Sequence, residues 1–182
     1  LTTLDVSRFS ESSHTFLNKV IDQYITLPTS FLGSTILFII GILIFDFEQY
    51  WEHRLSHIYA PLWDSHEFHH AATQMNIFAA KRLAPLDGVL FSWFTLPFTI
   101  FGTILISAYA EKGNLIPFFL VATWATLMQI QTFAGHSSFK ISYPKPFNYV
   151  LLSPCCHLIH HSNRVEHFDK NFGFVFSIWD RL

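Results

Sequence analysis

Charge is what this sequence has least of. Of its 182 residues only 13% are Asp, Glu, Lys or Arg, against about a quarter in an ordinary soluble domain. So poor a surface-forming complement excludes intrinsic disorder, a nucleic-acid-binding domain and a charged coiled coil. It leaves a membrane protein or an unusually apolar core, and 51% of the residues are hydrophobic and 18% aromatic. The formal net charge of −2 implies no global electrostatic steering. Cysteine is scarce too: only Cys155 and Cys156 occur, and adjacent cysteines rarely meet disulfide geometry. A reducing, cytosol-facing position is the simpler reading. There is no internal repeat, low-complexity tract or Gly/Ser-rich linker. No signal peptide is visible, but the chain starts at Leu1 and stops at Leu182 without a polar tail. It is expected to be a segment of a longer protein, so a missing leader decides nothing.

Long stretches without charge or histidine are what the chain does have. Residues 23–45, 88–110 and 113–135 each run 23 residues without Asp, Glu, Lys, Arg or His. A helix of that length reaches about 34 Å, against a hydrocarbon core of about 30 Å. Membrane spans are expected at about 31–59, 86–110 and 115–137, with Ser30 capping the first. Pro97 is expected to kink the second span, and Pro117 falls in the first turn of the third, where proline is tolerated. The two domains expected are a polar N-terminal segment 1–22, with a short interfacial helix around 16–25, and a membrane catalytic domain 23–182. Only a tight hairpin at 111–114 separates spans two and three, so residues 46–87 and 136–182 must share one side of the membrane. Eight of the eleven basic residues lie there, against Arg8, Lys19 and Lys112 opposite. The positive-inside rule therefore puts that side in the cytoplasm.

The same side carries every histidine but His14. His53 and His57 sit in HRLSH, His66, His69 and His70 in HEFHH, and His157, His160 and His161 in HLIHH, while His136 ends the third span. Spacings of i,i+4 and i,i+3,i+4 gather the rings of each motif on one helical face. Neutral imidazole suits Zn, Cu, Fe and Ni, and a low-dielectric site at a membrane surface disfavours the imidazolium. Nine rings exceed what one metal uses, so two metals are the natural count. No set of four cysteines is present, and no Glu-x-x-His pair is arranged as in soluble carboxylate-bridged di-iron bundles. The expected fold is an all-α polytopic membrane bundle, with a helical cap on its cytosolic face holding a dinuclear, histidine-ligated site.

Asp46, Tyr50 to His57, Leu62-Trp63, the HEFHH and HLIHH motifs with Ser162, and the closing runs Asp169 to Gly173 and Ser177 to Leu182 together resemble the fatty acid hydroxylase / sterol desaturase superfamily. The resemblance covers roughly the last three-quarters of the chain. It implies an integral-membrane, non-haem di-iron enzyme that uses O2 and two electrons to hydroxylate, or desaturate, an unactivated C–H bond of a sterol, sphingolipid or fatty acyl substrate. It implies two iron ions, for which zinc can substitute in a purified sample. The implied ligands are His53, His57, His66, His69, His70, His136, His157, His160 and His161. The implied partners are the lipid, the membrane and an external electron donor, cytochrome b5-like or ferredoxin-like with its reductase. The endoplasmic reticulum is the location implied for a eukaryote and the inner membrane for a bacterium. One departure stands out: some members carry a second histidine four residues after the position of His136, and this chain has Lys140. His167 lies where the family varies and is left out.

An oxidant able to break such a bond must be shielded from water. Phe91, Trp93, Phe94, Phe98, Trp124 and Phe133 are the aromatic candidates for walls that align the lipid. Ligating histidines usually donate their second N–H to a carboxylate or carbonyl, and Asp46, Glu67, Asp169 and Asn163 are the candidates. Asp46 leads, because a carboxylate at a membrane boundary is costly without a partner. Asp46 and Asp169 are the expected catalytic carboxylates, although Asp169 equally suits a turn into Phe172-Gly173, and the two cysteines read as packing. Two other classes compete. A membrane haem protein without oxygenase activity leaves the two HxxHH clusters unexplained. A metal transporter or metal-binding structural protein should carry its ligands at mid-membrane, whereas here they gather at one face.

Overall fold

The computed structural model describes residues 15–16, 19–20, 27–28 and 30–182. The segment expected at 1–22, with its interfacial helix, lies almost entirely outside the described residues. Helix α1 (Phe31–Ile58) starts where the Ser30 hydroxyl accepts the Gly33 N–H at 3.1 Å. Glycine is needed there, because a Cβ on residue 33 would come within 2.6 Å of the Pro28 Cβ. Tyr59 ends α1 and opens the next helix. Its N–H closes on the Leu55 carbonyl, and its own carbonyl accepts from Leu62 and Trp63. Pro61 sits in the first turn of helix α2 (Ala60–His70), where its missing N–H costs nothing.

Helix α3 (Pro85–Glu111) begins on a proline after an extended Ala84 and continues as one helix through Pro97. Helix α4 (Ile116–Gly135) follows a turn in which Gly113 takes a φ of +74° and the Asn114 side chain accepts the Ile116 N–H. Two short helices, α5 (Lys145–Asn148) and α6 (Pro154–His160), follow, and the described residues also include 3₁₀ turns at Ala79–Lys81, Val165–His167 and Trp179–Arg181. No strand occurs among the described residues beyond one antiparallel bridge, Leu151 with Phe176.

Helices α1, α3 and α4 are long and apolar enough to cross a membrane. Their large side chains point away from the protein: Ile36, Ile40 and Ile44 on α1, Trp93, Ile100 and Phe101 on α3, and Phe118, Leu127 and Ile130 on α4 are all exposed. An apolar girdle of that extent is what a bilayer covers, and the chain is an integral membrane protein. Four of the six aromatics expected as walls lie on this girdle, and the other two pack within the protein. Trp93 is 72% exposed, and Phe91, Phe94 and Phe133 are all exposed. Phe98 packs edge-on against Phe45, and Trp124 stacks on Phe176.

The buried apolar core (Leu27, Phe38, Leu105, Ala108 and Tyr109) ties the entry of α1 to the end of α3. There the Tyr109 hydroxyl donates to the Pro28 carbonyl at 2.9 Å. The end of α1, the start of α3 and the end of α4 meet at the opposite end of the bundle, beneath α2, α6 and the C-terminal tail.

Candidate metal centre

Every histidine motif ends up at that second end. On α1, His53 and His57 lie one turn apart; on α2, His66, His69 and His70 line one face; His136 caps α4; His157 and His160 lie on α6, with His161 at its C-cap. Eight of the nine rings sort into two groups of four. His53, His57, His70 and His160 form a first cluster, and His69, His136, His157 and His161 a second; within each, one ligand atom per residue lies within 4.8 Å of the others. The clusters touch where the His70 and His161 rings stack at 4.3 Å. His66 belongs to neither group, yet its ring lies 5.0–5.3 Å from those of His53, His57, His69 and His70. Its Nε2 is buried without a partner. His167 sits in a separate 3₁₀ turn, and Lys140 is exposed.

The protons on these rings can be placed by elimination, since a carbonyl only accepts. His53 Nδ1 donates to the Phe172 carbonyl (2.9 Å), His160 Nδ1 to the Lys170 carbonyl (3.0 Å) and His136 Nδ1 to the Thr132 carbonyl (2.7 Å). Each neutral ring then presents a bare Nε2 lone pair. In the first cluster the Nε2 atoms of His53, His57, His70 and His160 are buried with no hydrogen-bond partner, a costly state unless a cation accepts them. In the second cluster His136 Nε2 lies 3.1 Å from His69 Nε2 and 3.2 Å from His157 Nε2, which in turn lies 3.2 Å from His161 Nε2. One lone pair on His136 takes one N–H, so two neighbouring nitrogens at that distance leave an unmatched contact. A cation between them removes the conflict.

Protonation is a poor alternative. Burial first, then the neighbouring His136 and His66 rings, pull His69 down to about 3. Burial followed by repulsion from neighbouring rings also lowers His70, His157, His160 and His161, and burial lowers His136. The rings stay neutral at physiological pH, the form that binds metal. Nitrogen-only sets of four fit a borderline divalent ion such as iron or zinc.

The two expected carboxylates stand elsewhere than beside a ring nitrogen. Asp46 is completely buried, and its oxygens are taken by the Val175 N–H (2.9 Å), the Phe176 N–H (3.1 Å) and the Trp179 indole N–H (2.9 Å). A carboxylate at the membrane boundary has partners, and they are two backbone N–H groups and an indole of the tail. Asp169 is exposed at a φ of +56°. With Ser162, Asn163, Trp63 and Phe168 it lines a cleft of about 390 Å³ that reaches His57, His70, His160 and His161. Glu67 is exposed.

The carboxylate that does meet a ring is Asp87, buried in the first turn of α3, with its Oδ1 3.4 Å from His66 Nδ1. Sequence reasoning missed it. Its position at the start of an apolar span was the available signal, the same one that singled out Asp46. The carbonyls of Phe172, Lys170 and Thr132 carry no signature in the sequence. Gly135 also contributes: a Cβ there would lie 3.0 Å from the His157 ring, so any larger residue would press on that ring where α6 meets the end of α4.

The family model for fatty acid hydroxylase matches residues 38–182, which hold all nine of these histidines. Among curated proteins, an alkylglycerol monooxygenase of Homo sapiens is 28% identical over 75% of this chain and 27% of its own length. A Delta(7)-sterol 5(6)-desaturase of Gibberella zeae is 28% identical over 78% of this chain and 35% of its own. An ornithine lipid hydroxylase of Rhizobium tropici is 25% identical over 79% of this chain and 40% of its own. The chain thus spans between a quarter and two-fifths of the length of these relatives. No solved structure matches it.

Proposed function

This chain belongs to the fatty acid hydroxylase family, and on that premise we propose that it is the catalytic part of an O2-dependent lipid hydroxylase or desaturase working through two irons. The observation that carries the reading is the pair of four-imidazole clusters, each within the span of one coordination sphere, at one end of a membrane bundle. Relatives named for the oxidation of alkylglycerol, sterol and ornithine lipid support a lipid substrate without selecting one. Ring centroids as close as 4.5 Å inside the clusters leave no slot for a planar macrocycle, which disfavours a haem reading.

His53, His57, His70 and His160 would hold one iron and His69, His136, His157 and His161 the other, with the unpartnered His66 Nε2 available to either. Bound there, the irons would supply the activation of O2 that an unactivated C–H bond demands. Hydroxylation consumes O2, two electrons and two protons, and yields the alcohol and water. The electrons come from an external donor, cytochrome b5-like or ferredoxin-like. The chain's own part is to orient and enclose. The Phe172, Lys170 and Thr132 carbonyls fix which nitrogen each of three rings presents. The Phe172 ring lies 5.1–5.8 Å from His53, His57 and His160 and packs against one side of the first cluster. Asp169, at the mouth of the cleft, is proposed to meet what enters from the solvent side. We place the histidine end in the cytoplasm, at the endoplasmic reticulum of a eukaryote or the inner membrane of a bacterium.

The test is iron content together with lipid extracts from cells expressing the chain under ¹⁸O2. A hydroxylase leaves ¹⁸O in a lipid product, and a desaturase leaves a product lighter by two hydrogens. His160→Ala should abolish either product and lower bound iron. Full turnover with unchanged iron in that variant would overturn the reading.

A further inference from the structure

The C-terminal tail closes over one of the two clusters only, and it is held there by two carboxylates that touch no histidine. Residues 169–173 bring the Lys170 carbonyl to His160 Nδ1 and the Phe172 carbonyl to His53 Nδ1. Both rings belong to the first cluster. The tail reaches this shape through left-handed backbone at Asp169 (φ 56°) and Asn171 (φ 60°), a conformation that Asp and Asn tolerate better than other non-glycine residues. Three anchors hold it. The Asn171 amide donates to the Cys156 carbonyl at 3.1 Å. Asp180 accepts the Phe172 N–H on Oδ1 (2.7 Å) and the Gly173 N–H on Oδ2 (3.0 Å). Asp46 takes the Val175 and Phe176 N–H groups and the indole of Trp179.

The backbone between Asp180 and His53 is short and fixed. The Gly173 N–H accepted by Asp180 Oδ2 lies on the same peptide group as the Phe172 carbonyl that orients His53, and Asp180 Oδ1 accepts the Phe172 N–H just before it. Gly173 tightens this corner further, because a Cβ there would lie 2.4 Å from the Phe176 carbonyl oxygen and 3.0 Å from Asp180 Oδ2. The second cluster takes its ring orientation from elsewhere. His136 is set by the Thr132 carbonyl within α4, and no tail carbonyl bonds any of its four rings.

We propose that Asp180 is a positioning residue for one metal of the pair: it holds the Phe172 peptide so that His53 presents Nε2 to the first cluster, while the second cluster forms without it. The proposal rests on the reading that the two clusters hold metal. The direct partner of His53 is the Phe172 carbonyl, and loss of a partner bonded to a ligating ring typically changes metal affinity by about 10- to 100-fold. Asp180 acts through that carbonyl, so Asp180→Ala should weaken one site by up to that factor and leave the other unchanged. Asp180→Asn keeps one acceptor oxygen and should fall between.

The test is made on the full chain, purified in detergent and loaded with ⁵⁷Fe, with iron per chain and Mössbauer spectra as readouts. Arg181→Ala serves as a control in the same turn, since its guanidinium bonds the Ser177 carbonyl and lies over Tyr149. The unmodified protein and the control should hold two irons. Asp180→Ala should hold one at limiting iron, losing one spectral component while the other stays in place, with an unchanged helical spectrum. Two tightly held irons in Asp180→Ala, or equal weakening of both components, would overturn the positioning role. Loss of helix together with both irons would make Asp180 a general structural residue and overturn it equally. No iron in the unmodified protein would overturn the underlying reading instead, and the two failures are thereby distinguished.

Discussion

A neutral imidazole binds metal and a protonated one does not, so the low proton affinity of these rings has a measurable consequence. His69 is pulled from its ordinary 6.5 down to about 3, first by burial and then by His136 and His66. Between those two values the unfolded chain takes up a proton that the folded chain refuses, so folding stability falls as pH falls through that window. Metal-free protein should therefore melt at progressively lower temperature from pH 6.5 down to 5. Bound iron in folded protein should stay constant over the same range, because protons compete for His69 only near pH 3. Iron loss centred near pH 6.5 would contradict this. Asp46 gives a second test at this scale. Removing its carboxylate strands two backbone N–H groups and an indole N–H in a buried setting, each worth about 1–3 kcal/mol. Asp46→Ala should thus lower stability by about 3 kcal/mol or more in thermal melts, with Asp46→Asn intermediate. Iron loss at unchanged melting temperature would instead mark Asp46 as acting on the histidines.

Elements carry the difference between what could be read in the sequence and what could not. The apolar helices were legible because each runs free of charge for a bilayer's thickness, and Ser30 caps α1 where its side chain suggested. The convergence of three rings within HEFHH was legible because helical spacing is a local property. How rings from different elements pair off was not. His69 and His70 are neighbours on α2, yet they serve different clusters, because adjacent residues on a helix point about 100° apart and the facing elements decide which neighbours each ring meets. Backbone carbonyls as partners were equally hidden, since any residue type offers one. Gly135 shows such a relationship as a testable contact between α4 and α6. Adding a methyl group there presses on the His157 ring, so Gly135→Ala should weaken the second cluster's metal while the first keeps its own. Asp180→Ala should do the reverse. Iron titration of the two variants side by side checks the pairing, and losses from the same site in both would refute it.

At the scale of the whole molecule the fold separates two tasks by length. Helix α1 has 28 residues, about 42 Å at helical rise, against about 30 Å of hydrocarbon. Its surplus turns carry His53 and His57 beyond the apolar girdle, while its other end anchors the buried contacts around Phe38 and Tyr109. The α3–α4 turn therefore belongs on one side of the bilayer and the whole histidine end on the other. Lys81, Arg82, Arg164 and Lys170 accompany the histidine end, and Lys112 the turn, a charge bias that supports the proposed placement of the clusters toward the cytoplasm. The arrangement can be checked by single cysteines in a background where Cys155 and Cys156 are replaced. In sealed, right-side-out vesicles a membrane-impermeant maleimide should label Lys112→Cys at once and Arg164→Cys only after the bilayer is opened. Simultaneous labelling of both in intact vesicles would place the turn and the clusters on one side. That outcome would remove the membrane from between them, and with it the assignment of α3 and α4 as spans.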